Sequence, residues 1–151
     1  MHARGGRTFG QDRAVVEDGM AVGQGYLAWA FPTAGRADLA EACALEIAAT
    51  ILGDGDVSRL QRRLVDELRL VTSVQAWTFG LQRVGLLGVV AVHAPDRRAA
   101  VEEEMARVLQ GAVDHGFSEP EVRRAKTMLL ADFAYDNETN AAMTGTLGEF
   151  E

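Results

Sequence analysis

The 151-residue chain is poor in the side chains that bind metals or form disulfides. Its only cysteine is Cys43, and its only histidines are His2, His93 and His115. A single thiol excludes an internal disulfide framework. No H-x-x-E-H or H-E-x-x-H spacing occurs, so no helix can hold zinc beside a general base. Because zinc needs several converging ligands, the sequence predicts no metal site.

Long apolar runs and positive charge are also scarce. The longest apolar runs, such as residues 84–92, fall far below the about 20 residues that a membrane-spanning helix needs. The formal net charge is −7, whereas a phosphate backbone attracts clustered lysine and arginine. We therefore predict no membrane span and no nucleic-acid partner. Residues 1–19 contain no apolar run able to serve as a signal peptide, which leaves the compartment open.

Motifs for nucleophilic catalysis, phosphate binding and calcium binding are missing too. No G-x-S-x-G elbow occurs, and Gly53-x-Gly55 lacks the third glycine and the lysine that would cradle a phosphate. Residues 54–65 begin with the acidic and hydroxyl pattern of a calcium-binding loop. Arg59, however, stands where the sharp turn needs glycine, and the final position is Val65 instead of glutamate. We predict no catalytic and no cofactor-binding residue in this chain.

The remaining conspicuous residues have structural interpretations. The Arg59, Arg62 and Arg63 cluster is interpreted as a solvated helix face paired with Asp66 and Glu67. The acidic run at residues 102–104 is interpreted as the solvated face of its helix. Cys43 lies between two alanines on a helical pattern, which predicts a buried thiol.

Hydrophobic periodicity predicts the order strand, helix, helix, strand, strand, helix, helix. The predicted strands span residues 24–31, 70–78 and 84–93, and the predicted helices begin near Asp38, Ser58, Pro95 and Ser118. Asp38 and the Ser118-x-x-Glu121 capping box are predicted helix caps, and the turn at residues 80–83 predicts an antiparallel hairpin. Helical spacing predicts that Leu60 and Leu64 face inward, and strand alternation places Val71 and Val74 on opposite faces. The order of elements indicates an α+β fold, a two-layer sandwich of an antiparallel sheet with helices on one face. Residues 32–36 are expected to break the first strand, and the largely apolar first helix is expected to be buried.

The glycine- and charge-rich residues 1–23 are predicted to be an extended N-terminal arm, with a short strand at residues 13–17 as one option. Residues 24–151 are predicted to form a single α+β domain. The helical pattern that begins at Ser118 runs on without a strong stop, so the domain is expected to be truncated at its C-terminus.

Several short motifs in a fixed order resemble one known family. They are residues 26–32 (YLAWAFP), Asp38, Ile51-Leu52-Gly53, Ser58-Arg59-Leu60, Leu64-Val65, Ser73-Val74, Phe117-Ser118-x-x-Glu121, Arg124-Ala125-Lys126, Glu138 and Leu147-Gly148-Glu149. With this order and spacing, the chain resembles the second, non-catalytic domain of the pitrilysin/insulinase zinc metallopeptidases. That family includes mitochondrial processing peptidases and bacterial zinc proteases.

The resemblance implies a metallopeptidase-like domain with a supporting role. In such peptidases the first domain holds zinc through H-x-x-E-H and a distant glutamate, and paired domains enclose an unfolded peptide. This chain would be a fragment that supports the zinc domain and helps to wall the chamber, inactive alone and without its own cofactor. The implied zinc lies in the parent protein or a partner domain. Implied partners are a zinc-bearing first domain or subunit, a peptide substrate, and a second subunit in a homo- or heterodimer.

One departure from the family pattern leaves alternatives open. Members that grip the substrate backbone from the non-catalytic half use an arginine and a tyrosine, where this chain has Val65 and Thr72. Without a guanidinium and a phenol that grip cannot form. The alternatives are an inactive partner or scaffold subunit, like the core subunits of respiratory complexes, and an unrelated α+β interaction domain.

Overall fold

The computed structural model describes the backbone of residues 23–148 and the side chains of residues 23–135 apart from residue 34. The elements are β1 Gly25–Ala34, α1 Leu39–Gly53, a π-helix Gln61–Glu67, β2 Val71–Gly80, β3 Val84–His93, a 3-10 turn Pro95–Arg97, α2 Arg98–His115 and α3 Glu119–Gly148. The predicted order of strands and helices is confirmed. The predicted arm and the optional strand at residues 13–17 lie outside the described residues.

The three described strands form an antiparallel sheet in the order β1-β3-β2, so β3 lies in the centre. Strand β1 pairs with β3 from Gly25 opposite His93 to Ala34 opposite Val84. The predicted hairpin between β2 and β3 is confirmed, and the Leu81 N–H closes its turn on the Val84 carbonyl at 2.8 Å. Both β1 and β2 are therefore edge strands within the described part of the chain.

Strand β1 runs through Pro32, so the expectation that residues 32–36 end this strand was wrong for its first three positions. Pro32 lies opposite Leu86 of the central strand. A proline is tolerated in an edge strand because its missing N–H can face away from the neighbouring strand. The chain leaves β1 only at Gly35, after which the Arg36 N–H bonds the Leu81 carbonyl at 2.8 Å.

Strand β2 contains an irregularity that strict alternation could not predict. The pairing with β3 shifts register between Val71 and Ser73, so Val71 and Val74 are both buried. The sequence placed these two valines on opposite faces, and that assignment was wrong. An extra residue in one strand of an antiparallel pair rotates the side chains that precede it to the other face.

The hydrophobic core lies between one face of the sheet and the helices, which confirms the predicted α+β sandwich. The sheet contributes Leu27, Val71, Val74, Ala76, Val89 and Ala91, and the helical layer contributes Leu52, Leu60, Leu64, Val101 and Met105. The inward direction predicted for Leu60 and Leu64 is confirmed, since both have 0% exposure. Burial of these side chains is the main stabilising term of such a fold.

The opposite face of the sheet is open within the described part of the chain. It presents large side chains that remain accessible, among them Tyr26, Trp77 and Phe79. Trp77 lies across the central strand at Gly88, where an added Cβ would come within 2.5 Å of the indole. The sheet thus has one packed face and one accessible face.

Helix α1 begins as predicted but is not buried along its length. The Asp38 carboxylate accepts the Glu41 N–H at 3.0 Å, which confirms the predicted cap. Only residues of the C-terminal turns are buried, from Ala49 to Gly53. Cys43 is exposed, so the prediction of a buried thiol was wrong. An apolar composition does not by itself bury a helix, since residues 39–48 of α1 are exposed or half-buried in the described structure.

Helices α2 and α3 follow their predicted signals. Pro95 opens a short turn before α2, and Gly116 ends that helix with a φ of 68°, a conformation that glycine adopts without a steric penalty. Ser118 then precedes α3. Among the described residues, no helix is both long and apolar enough to cross a bilayer.

Candidate functional site

The candidate metal ligands do not come together in the described structure. His93 is buried at the end of β3, with Nδ1 2.7 Å from the Ala94 carbonyl. His115 ends α2, with Nδ1 3.2 Å from the Gly111 carbonyl, and His2 lies outside the described residues. Within the described part, no group of three or more His, Cys, Asp or Glu side chains could hold a metal. These residues therefore do not fit a zinc ion.

A charged cluster, the Arg59 clamp, joins the start of the π-helix to the start of α3 and consists of Arg59, Gly116, Phe117 and Glu121. Arg59 donates from Nε and Nη2 to the two carboxylate oxygens of Glu121 at 2.7 and 2.8 Å. Its Nη2 also donates to the Gly116 carbonyl at 3.0 Å. The guanidinium carbon lies 4.9 Å from the centre of the Phe117 ring. This planar bidentate contact is one that only arginine can make.

The predicted cap of α3 belongs to the same cluster. Ser118 donates both its backbone N–H and its hydroxyl to Glu121 Oε2, at 2.8 and 2.7 Å. The Arg59 hydrogen bonds, followed by those from Ser118, lower the pKa of Glu121 to about 2. The pKa of Arg59 is raised, chiefly by the same hydrogen bond. The ion pair is thus fully charged at neutral pH, and its chemistry is structural.

The clamp corrects two sequence-based interpretations. Arg59 does not belong to a solvated face paired with nearby acids, because its partner is 62 residues away. Arg63 does pair with Glu67 at 2.9 Å, as predicted, but also bonds Glu104 at 2.9 Å. Glu104 therefore does not simply face solvent, and hydrogen bonds from Arg63 lower its pKa. Charge spacing within one helix carries no information about such contacts between elements.

Ser58, which precedes Arg59, is an unusual buried polar residue. It has 0% exposure, and its hydroxyl oxygen has no hydrogen-bond partner among the described residues. Its backbone is tied at both ends, with the N–H bonded to the Gly55 carbonyl and its carbonyl accepting the Arg62 N–H. The side chain is therefore fixed by its backbone and not by a bond of its own.

Val65 and Thr72 are the positions at which the resemblance leads us to expect a substrate-gripping arginine and tyrosine in other members. Val65 is half-buried and packs against the core. Thr72 is exposed and donates its hydroxyl to the Val92 carbonyl at 3.2 Å. Neither side chain can donate a charged or phenolic hydrogen bond to a peptide.

A polar groove, here called the β2 groove, lies between β2 and the loop that follows α1. Its lining consists of residues 53–56, Gln61 and residues 73–77. The loop sits close to the strand because position 53 is glycine, where an added Cβ would lie 2.3 Å from the Ala76 nitrogen. Gly55 has a φ of 75°, which favours glycine there as well. Sequence reasoning identified this glycine-acid loop but gave it no binding role.

The order of these features matches a known sequence family. A model of the family described as the peptidase M16 inactive domain matches residues 6–129. The chain belongs to the peptidase M16 family, in its inactive domain. The Arg59 clamp explains why this domain carries Ser-Arg-Leu and Phe-Ser-x-x-Glu together, because the two motifs meet in space.

Relatives of this M16 inactive domain have been described in several bacteria. An uncharacterized zinc protease of Streptomyces coelicolor is 29% identical over 108 residues, which make up 72% of this chain and 24% of that protein. The chain thus spans about a quarter of that relative's length.

Solved structures show the same fold. A protease from Helicobacter pylori has a TM-score of 0.72 and 23% identity, covering 82% of this chain and 30% of its own. A peptidase M16 inactive domain from Pseudomonas fluorescens has a TM-score of 0.68 and 20% identity, covering 74% of this chain and 27% of its own. These identities support the fold of the M16 inactive domain and nothing finer.

Proposed function

We propose that this chain supports a zinc-bearing peptidase domain and forms part of the wall of a peptide-binding chamber. The observation that carries the proposal is the match of residues 6–129 to the M16 inactive domain. The name of the Streptomyces relative, a zinc protease, supports the same reading. Zinc would then be held by another domain or subunit, because the described residues do not offer a ligand set.

The geometry favours a supporting role over a catalytic one. The Arg59 clamp connects the π-helix to α3. The guanidinium of Arg59 is occupied by its bonds to Glu121 and to the Gly116 carbonyl. The core beneath it is closed by side chains with no exposure, including Leu60 and Leu64. A domain of this kind presents fixed surfaces to a partner. The part of the domain that carries Val65 and Thr72 would face the peptide, since the resemblance places the family's substrate-gripping positions there.

The proposal is tested on the native polypeptide from the source cell. Mass spectrometry of that polypeptide establishes whether H-x-x-E-H is present on the same chain. If it is, the whole polypeptide should bind zinc stoichiometrically and cleave a long unfolded peptide. A version lacking residues 23–148 should keep its zinc but lose cleavage, because the chamber wall is missing.

Two results would contradict the proposal or redirect it. Full cleavage by the deleted version, with zinc retained, would show that this domain is not part of the peptide chamber. A native polypeptide without H-x-x-E-H would instead favour the inactive partner or scaffold subunit. The zinc would then be sought in the subunit that copurifies with it.

A further inference from the structure

We draw no further inference here: the strongest candidate, the open face of the sheet around Tyr26, Trp77 and Phe79, is an accessible apolar surface, and nothing in the described part of the chain shows what covers it.

Discussion

The Arg59 clamp and the β2 groove lie at the two ends of one short segment, residues 53–61, yet they treat charge in opposite ways. In the clamp, Arg59 and Glu121 satisfy each other at 2.7 and 2.8 Å, with only 27% and 20% of their side chains exposed. In the groove, Asp54 and Asp56 are exposed and have no ion pair within the described part of the chain. Charges that are paired and half-buried hold the domain together, whereas charges left accessible to water contribute little to its stability.

The comparison predicts that clamp variants change stability and groove variants do not. The largest effect is expected for Arg59→Met, which keeps the apolar stem but removes the guanidinium. Glu121 then loses its bidentate partner while remaining largely shielded from water. We expect a loss of about 2–3 kcal/mol in the free energy of unfolding, measured by urea denaturation.

The control for this variant is a neighbouring arginine. Arg62 is exposed, and Arg62→Met removes the same charge one turn further along. It should change stability by less than about 0.5 kcal/mol. If both variants lower the free energy of unfolding equally, the ion pair of Arg59 with Glu121 contributes no more to stability than an exposed arginine does.

The same ion pair predicts a pH dependence. The pKa of Glu121 is about 2 in the folded protein, below its ordinary value of 4.5. A lowered pKa contributes stability that is fully present above about pH 4.5 and is lost as the pH falls toward 2. Between pH 5.5 and pH 3 the chain should lose about 1–2 kcal/mol more than Glu121→Gln, which cannot titrate there. Identical pH profiles for the two proteins would show that Glu121 is not held as an anion.

The elements of the fold could be predicted because their signals are local. Asp38 begins α1 and Gly116 ends α2 through bonds to residues about one turn away, and Leu60 and Leu64 are spaced to share one helix face. The exposed Cys43 was mispredicted because the exposure of a helix depends on what packs against it. That information lies in the tertiary structure, not in the composition of the helix.

The Arg59 clamp and the β2 groove could not be predicted from local sequence patterns. The sequence reveals both halves of the clamp as motifs, but nothing local indicates that Arg59 reaches across 62 residues to Glu121. The groove needs even more, because it exists only if the loop that follows α1 lies beside β2, with Gly53 against Ala76. The close approach of a loop to a strand is a property of the assembled fold.

Ser58 sharpens the comparison with a smaller effect. A buried hydroxyl without a hydrogen bond is destabilising, and the Ser58 hydroxyl has no partner among the described residues. Ser58→Ala should therefore leave stability unchanged or raise it by up to about 1 kcal/mol. Ser118→Ala is the matched opposite, since its hydroxyl donates to Glu121 at 2.7 Å, and it should lower stability by about 1 kcal/mol. A large loss from Ser58→Ala would reveal a partner for this hydroxyl.

The smallest effect on stability is expected for the exposed acids of the β2 groove. Asp54 and Asp56 contribute exposed carboxylates, and the turn is held by backbone contacts such as the Asp54 N–H to the Thr50 carbonyl at 3.1 Å. The Asp54→Asn, Asp56→Asn variant keeps those contacts, so urea denaturation should change by less than about 0.5 kcal/mol. A loss above about 1 kcal/mol would mean that these acids hold the loop in place. The groove would then be a structural feature like the clamp, and the contrast between paired and exposed charges would not hold.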